Sequence, residues 1–198
     1  MYQNGIKIVL DKLVALMAIL LLSPIFILIT LMLLFLQKQA FFIQTRVGKN
    51  QKRFPIYKFQ TMSLALDTNG KLLPDDARIT AFGKWLRATS LDELPQLLNV
   101  LKGEMSIVGP RPHAVGMTAG SIEVTRTVGD YAHRHRMKPG MTGWAQINGS
   151  RGPCDTPDEV RERVRLDMEY VRRASVWLDA YIVLMTIPRL LGDRSRRR

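Results

Sequence analysis

Residues 13–36 carry no charged side chain, and Ser23 and Thr30 are almost their only polar groups. At about 1.5 Å per residue, a helix over them would reach about 36 Å, enough to cross a hydrocarbon core of about 30 Å. The run is too long for a cleaved signal peptide, and no small-residue cleavage site follows it. It is a membrane segment, and everything downstream must fold beside a bilayer.

Whether the segment crosses is a separate question. Ser23-Pro24 falls in its middle. Proline removes a backbone donor and bends the helix, while serine can satisfy a freed carbonyl. Each half alone is too short to span. Both flanks are basic: Lys7 and Lys12 precede the run, and Lys38, Arg46, Lys49, Lys52, Arg53 and Lys58 follow it. A crossing would strand some of that charge on the wrong face. The expectation is a re-entrant helix-break-helix over residues 1–38 that dips in and returns; the alternative is a kinked single span.

A net charge of +12 makes an anionic partner the natural expectation: phospholipid, a phosphorylated substrate or nucleic acid. The single cysteine, Cys154, excludes an internal disulfide and a multi-cysteine zinc site. His133-Arg134-His135-Arg136 places its histidines among cations that would repel a metal, so a solvated basic segment is expected.

Beyond the membrane segment, residues 39–191 suit one interfacial domain and residues 192–198 a basic tail that favours an anionic leaflet. Residues 41–43 and 54–59 look like short strands around a turn at Gly48-Lys49-Asn50. Residues 67–76 suit a surface loop, and 116–129 a loop with a short helix. Phe82, Trp85 and Leu86 recur at helical spacing with Lys84 and Arg87 opposite, as in a helix lying on a membrane surface. Residues 138–149 combine turn-forming Pro139, Gly140 and Gly143 with the neutral hydrogen-bonding groups of Thr142, Gln146 and Asn148; they suit a binding loop or a plain turn with its strand. Thr156-Pro157-Asp158-Glu159 is a capping box opening a helix to about Arg173. Residues 177–191 form an apolar helix too short, and too interrupted by Pro188, to span. The fold class is α+β and membrane-associated: a small sheet with packed and amphipathic helices.

Residues 90–112 organise the rest. Leu91, Leu94, Leu97, Leu98 and Leu101 predict an amphipathic helix. Pro95 belongs near a helix start, which puts that start between Ser90 and Asp92. Asp92 and Glu93 would then lie at the positive end of a helix dipole, which favours their ionised forms by about 0.3–1 kcal/mol each. Gly103 marks the stop, and Gly109-Pro110-Arg111-Pro112 makes a stiff loop with one guanidinium. Ser90-x-x-Glu93 also fits a purely structural capping box. Paired acids, a cation and a rigid arginine together suit a phosphate ester.

Seven ordered motifs carry a resemblance to the bacterial monotopic phosphoglycosyl transferases, which start glycan assembly on a polyprenyl-phosphate carrier. They are Lys7 with Asp11; Ser23-Pro24; Gln44-x-Arg46-x-Gly48; Tyr57-Lys58-Phe59; Ser90-Leu91-Asp92-Glu93-Leu94-Pro95-Gln96; Gly109-Pro110-Arg111-Pro112; and Pro139-Gly140-x-Thr142-Gly143-Trp144-x-Gln146-x-Asn148-Gly149. Two positions depart from the family pattern. Ile8 stands where arginine is usual, which weakens a head-group contact, and Gln60 replaces an arginine near Lys58.

The resemblance implies that Asp92 attacks the sugar-side phosphate of a UDP-sugar, releasing UMP, and that polyprenyl (undecaprenyl) phosphate then takes the phosphosugar from the carboxylate. An ionised carboxylate needs no base for such an attack. By the same resemblance Asp92 and Glu93 would hold Mg²⁺, which offsets the repulsion between carboxylate and diphosphate. Lys58, Arg87 and Arg111 would bind phosphate oxygens, with Gln146 and Asn148 as further substrate-binding groups and Ser23-Pro24 as the re-entrant break. The expected place is the cytoplasmic face of the bacterial inner membrane, among membrane lipids; a homodimer is compatible with the sequence. Gly109 through His113-Ala114-Val115, Asn148 to Gly152 with Asp155-Thr156, and Ser175-x-Trp177-Leu178-Asp179 look most like glucose- or galactose-1-phosphate transferases of exopolysaccharide pathways, many of which carry additional N-terminal membrane helices. UDP-glucose is the expected donor. The alternatives are a membrane-tethered nucleotide-sugar hydrolase, using the same acids with water, and a basic nucleic-acid-binding module. The latter lacks any fold signature, and no nucleic-acid partner is expected.

Overall fold

The computed structural model describes residues 2, 5–67, 69, 71, 73–119, 122–123, 131–152 and 154–192. Helix α1, Ile6–Gln37, contains the whole apolar run. It is one helical run, not two helices parted by a non-helical break, so the expected interruption is absent from the backbone. Pro24 sits inside it, where it lacks one donor, and Ser23 Oγ bonds the carbonyl of Leu20 at 2.8 Å. That local bond compensates a weakened ladder without ending the helix. Lys38, in the left-handed conformation, closes it.

The domain is mixed helix and sheet, built on α1. Strands β1 (Phe41–Val47) and β2 (Arg53–Phe59) form an antiparallel hairpin in which Phe42 faces Lys58 and Arg46 faces Phe54. A tight 3-10 turn, Lys49–Gln51, joins them. The strands extend beyond their apolar cores because β1 runs on through Gln44-Thr45-Arg46. Next come α2 (Asp75–Arg78) and α3 (Ala81–Thr89), the latter capped by Thr80 Oγ1. Helix α4 covers Gln96–Lys102, and β3 (Ser106–Val108) pairs in parallel with β6 (Gly140–Thr142). A short β4–β5 pair, Thr118–Ala119 with Ile122–Glu123, lies between them in the chain. Helices α5 (Trp144–Ile147), α6 (Pro157–Arg173) and α7 (Val176–Gly192) complete the described domain. The capping box at Thr156 and Glu159 forms as the sequence predicts. The basic tail, residues 193–198, lies outside the described residues, as does most of 116–129.

Both halves of α1 pack on the same domain. Ala15, in the first half, sits with Phe54, Ile56, Leu97, Val100 and Met105. Ile29 and Leu33, in the second, sit with Ala40, Phe59 and Leu86. Leu94 packs against both clusters and links them. At the helix start, Asp11 accepts bonds from Ser106 Oγ (2.7 Å) and the Ile107 amide (3.1 Å), and Lys7 pairs with Asp179 at 2.5 Å. The outward side has no cover among the described residues: Leu21 is 80% exposed and Phe35 86%. An apolar face this bare is matched to lipid rather than water.

The segment expected to be solvated, His133-Arg134-His135-Arg136, forms the end of a 3-10 helix, Tyr131–Arg136, with Arg134 and His135 buried. The expectation fails because Asp167 on α6 supplies a buried counter-charge, at 2.6 Å from Arg134 Nη2.

Candidate active site

Alternation along β2 puts Phe54, Ile56 and Lys58 on one face. The first two enter the core against α4, so Lys58 is carried to the start of that helix. Asn99, fully buried on α4, fixes the register: its Nδ2 donates to the Pro55 carbonyl at 2.7 Å, and its Oδ1 accepts from the Tyr57 amide at 3.1 Å. Sequence inspection missed Asn99 because a lone asparagine in an apolar helix gives no sign of what it bonds.

Asp92 and Glu93 do not begin an α-helix. Ser90 takes the left-handed conformation (φ 60°) as the cap closing α3, and Leu91–Glu93 is a single 3-10 turn. Pro95 explains this: an α-helical bond to the Leu91 carbonyl would need the proline's absent N–H. Leu94 N–H takes that carbonyl instead, at 3.1 Å. No side-chain cap bond forms at Ser90, so the capping-box reading fails. Glu93 turns to the cations.

Glu93 Oε1 accepts Lys58 Nζ at 2.8 Å and Arg111 Nη2 at 2.9 Å. Asp92 is buried, with Lys58 Nζ at 3.9 Å from Oδ2 and no hydrogen-bond partner among the described residues. Burial pushes the Asp92 carboxyl above its usual range, opposed chiefly by Lys58. That direction is opposite to the one the dipole argument predicts: burial outweighs the neighbouring cations, and a three-residue turn aligns too few peptides to offset it. Burial acts on Glu93 too, but Arg111 and Lys58 outweigh it and hold its carboxyl well below the usual range. The two acids are electrostatically distinct: Glu93 is paired with two cations at hydrogen-bond distance, and Asp92 lies 3.9 Å from Lys58.

Arg111 is placed by a close backbone approach. A Cβ on Gly140 would meet Gly109 N at 2.1 Å, and one on Gly109 would meet the Lys138 carbonyl at 2.5 Å. Only glycines let these two turns pack backbone to backbone. From the other side, Arg134 Nη2 donates to the Arg111 carbonyl at 2.7 Å. Arg87 Nε donates to Thr61 Oγ1 at 2.9 Å, and its charge acts on Asp92. The expected cations Lys58, Arg87 and Arg111 therefore surround the acid pair. Gln146 and Asn148 are used differently: Gln146 Nε2 bonds the Met141 carbonyl and Asn148 Nδ2 that of Trp144. Gln60, the departure beside Lys58, is buried with its amide on the Met62 carbonyl. Arg46 is a cation that sequence inspection placed in a motif but not in the site; Arg111 and Glu93 both act on its charge. Gln44-x-Arg46-x-Gly48 was the signal that could have found it.

A carboxylate pair ringed by cations beside an apolar helix has the chemistry to take a phosphate ester. A family model for bacterial sugar transferases matches residues 2–193, and the chain belongs to that family. It is 48% identical over 157 residues to an undecaprenyl-phosphate glucose phosphotransferase of Komagataeibacter xylinus, a match covering 78% of this chain and 30% of that protein. A UDP-glucose:undecaprenyl-phosphate glucose-1-phosphate transferase of Escherichia coli (strain K12) is 44% identical over 182 residues, 89% of this chain and 38% of that one. An exopolysaccharide production protein of Rhizobium leguminosarum bv. phaseoli is 45% identical over 177 residues, 87% of this chain and 88% of that one. The chain spans about a third of the length of the first two relatives.

Proposed function

We propose that this chain transfers a sugar 1-phosphate, glucose 1-phosphate by preference, from its UDP-sugar to polyprenyl phosphate. The observation that carries the reading is the division of labour in the acid pair. Glu93 is bound by Lys58 and Arg111, while Asp92, 3.9 Å from Lys58 Nζ, has no hydrogen-bond partner among the described residues. A carboxylate of that kind is suited to attack phosphorus, and the neighbouring cations to bind the phosphate oxygens.

Asp92 attacks the sugar-side phosphorus, and the bond to the bridging oxygen breaks with its electron pair leaving on UMP. The lipid phosphate then attacks the same phosphorus and frees Asp92. Lys58 and Arg87 orient the attacked phosphate; Arg111 holds diphosphate oxygens. Mg²⁺ suits the donor set. Among the described residues no three His, Cys, Asp or Glu gather to hold a metal, but Mg²⁺ commonly takes one or two carboxylates together with substrate phosphates. Asp92 and Glu93 would be those ligands, and the ion would supply neutralisation of the diphosphate charge.

The names of the two glucose transferases support glucose as the sugar and undecaprenyl phosphate as the lipid. The packing of α1 supports a re-entrant rather than a spanning segment. Its 32 residues correspond to about 48 Å, yet Ala15 and Leu33 rest on one folded domain. With the charged flanks, this favours both ends on the cytoplasmic side of the inner membrane, where a lipid phosphate and a soluble nucleotide meet.

A panel of UDP-sugars, scored for UMP release with and without polyprenyl phosphate, tests the reading. UDP-glucose should give the fastest release, with lipid-linked product formed in step. Free sugar phosphate formed at the same rate without lipid would instead make the protein a hydrolase.

A further inference from the structure

The site has a polarity that runs past Arg111. In order of contact, Asp92 Oδ2 lies 3.9 Å from Lys58 Nζ, Lys58 lies 2.8 Å from Glu93 Oε1, and that oxygen lies 2.9 Å from Arg111 Nη2. Arg46 follows. Its Nη1 reaches the Pro112 carbonyl at 3.4 Å, one residue beyond Arg111, and an isolated bridge joins Arg46 to Ala114. Its Nη2 donates to Gln44 Oε1 at 2.5 Å, and its buried Nε has no partner. Among the described residues no carboxylate forms an ion pair with it.

Burial and the charge of Arg111 together bring the Arg46 guanidinium down to about 10, against a weaker pull from Glu93. A partly exposed arginine pressed by another arginine, with one shared carboxylate to relieve both, is short of negative charge. Lys58 lies at the Asp92 end of this row, whereas Arg46 is tied to the loop beyond Arg111, through the Pro112 carbonyl and the bridge to Ala114. Arg46 therefore belongs to the Arg111 end of the site.

Resting on the function proposed above, we infer that Arg46 holds the nucleoside-side phosphate of the donor, the group that departs as UMP. When Asp92 bonds to the sugar-side phosphorus, the bridging oxygen leaves with the electron pair of the broken bond. The UMP so formed gains one negative charge, and Arg46 with Arg111 faces it. Arginine suits this role because its planar fork meets two phosphate oxygens at once.

The test is inhibition of lipid-linked product formation in the full chain, reconstituted with polyprenyl phosphate. UMP and uridine serve as the inhibitors, compared between wild type and Arg46→Gln. Loss of one charged contact should weaken UMP inhibition about tenfold or more, with uridine, which has no phosphate, unchanged. Unchanged UMP inhibition would overturn the assignment, and so would equal weakening of UMP and uridine, which marks a general disturbance of the site. Should Arg46→Gln lose its thermal unfolding transition, Arg46→Lys replaces it: the lost fork should weaken UMP about threefold or more, and equal inhibition would overturn the assignment. A wild-type protein that releases no UMP from UDP-glucose fails at the earlier step and removes the functional reading itself.

Discussion

Arg134 and Asp167 show how far the loop carrying Arg111 depends on charge buried behind it. The pair is almost wholly enclosed, at 2.6 and 3.0 Å, and Arg134 also grips the Arg111 carbonyl. Removing one partner of a buried pair leaves an uncompensated charge, at a cost of about 3–5 kcal/mol. Arg134→Met should therefore lower the melting temperature steeply, and Arg134→Met with Asp167→Leu should recover part of the loss; a double variant as unstable as the single one would contradict this. His113 and His135 make a second residue-scale test. Burial first, then the charges of Arg134, Arg163 and Arg111, push His113 well below its usual range. Burial and Arg134 bring His135 to about 4. In the unfolded chain both titrate near pH 6.5. Below that pH the unfolded chain binds protons that the fold refuses, so stability is full above about pH 6.5 and falls as the pH drops toward 4. Thermal melts at pH 7.5, 6.5, 5.5 and 4.5 should descend in that order, and a flat series would show that the rings are not held neutral. None of this was legible in the sequence. His133-Arg134-His135-Arg136 looks solvated because its counter-charge, Asp167, comes from 33 residues beyond Arg134, whereas Asp92, Glu93, Lys58 and Arg111 were legible because their motifs are dense.

At the scale of elements, the acid pair depends on a turn and on two loops in backbone contact. Pro95 makes the turn, and the missing N–H explains why a periodic run of leucines does not become one helix from Ser90. Periodicity reports which face is buried; it does not report the hydrogen-bond pattern at an end. The glycines of the 109–112 and 138–143 turns look like ordinary turn residues in the sequence, yet their role is the contact between the turns. Gly140→Ala would place a methyl 2.1 Å from Gly109 N and 2.4 Å from the Thr142 carbonyl, with backbone on both sides and no flexible group to yield. The variant should lose the transfer reaction together with several degrees of melting temperature, whereas Gly152→Ala, which meets nothing within 4 Å, should keep its activity. Equal activity in the two would mean that the close approach does not position Arg111.

For the whole molecule, the central relation is between the apolar helix and the site above it. Leu94, next to Glu93, packs against the cluster that holds Ala15 and against the one that holds Ile29 and Leu33, which ties the height of the acid pair to the depth of the helix. The length and flanks of this helix were legible in the sequence, but its attachment to the domain through Ala15, Ile29 and Leu33 was not, since apolar residues alone do not show which of them meet protein and which meet lipid. Single cysteines at Lys12 and Lys38 can be probed from one side in sealed vesicles, because the native Cys154 is buried. A re-entrant helix exposes both to the same reagent, and labelling from opposite sides would establish a crossing.

The most direct measurement follows radiolabelled UDP-glucose incubated with the protein in the absence of lipid acceptor. Label should become bound to the protein through Asp92, be absent from Asp92→Asn, and move to lipid when polyprenyl phosphate is added. Lipid-linked product formed at the normal rate by Asp92→Asn, or by a wild-type protein that never holds the label, would contradict the account.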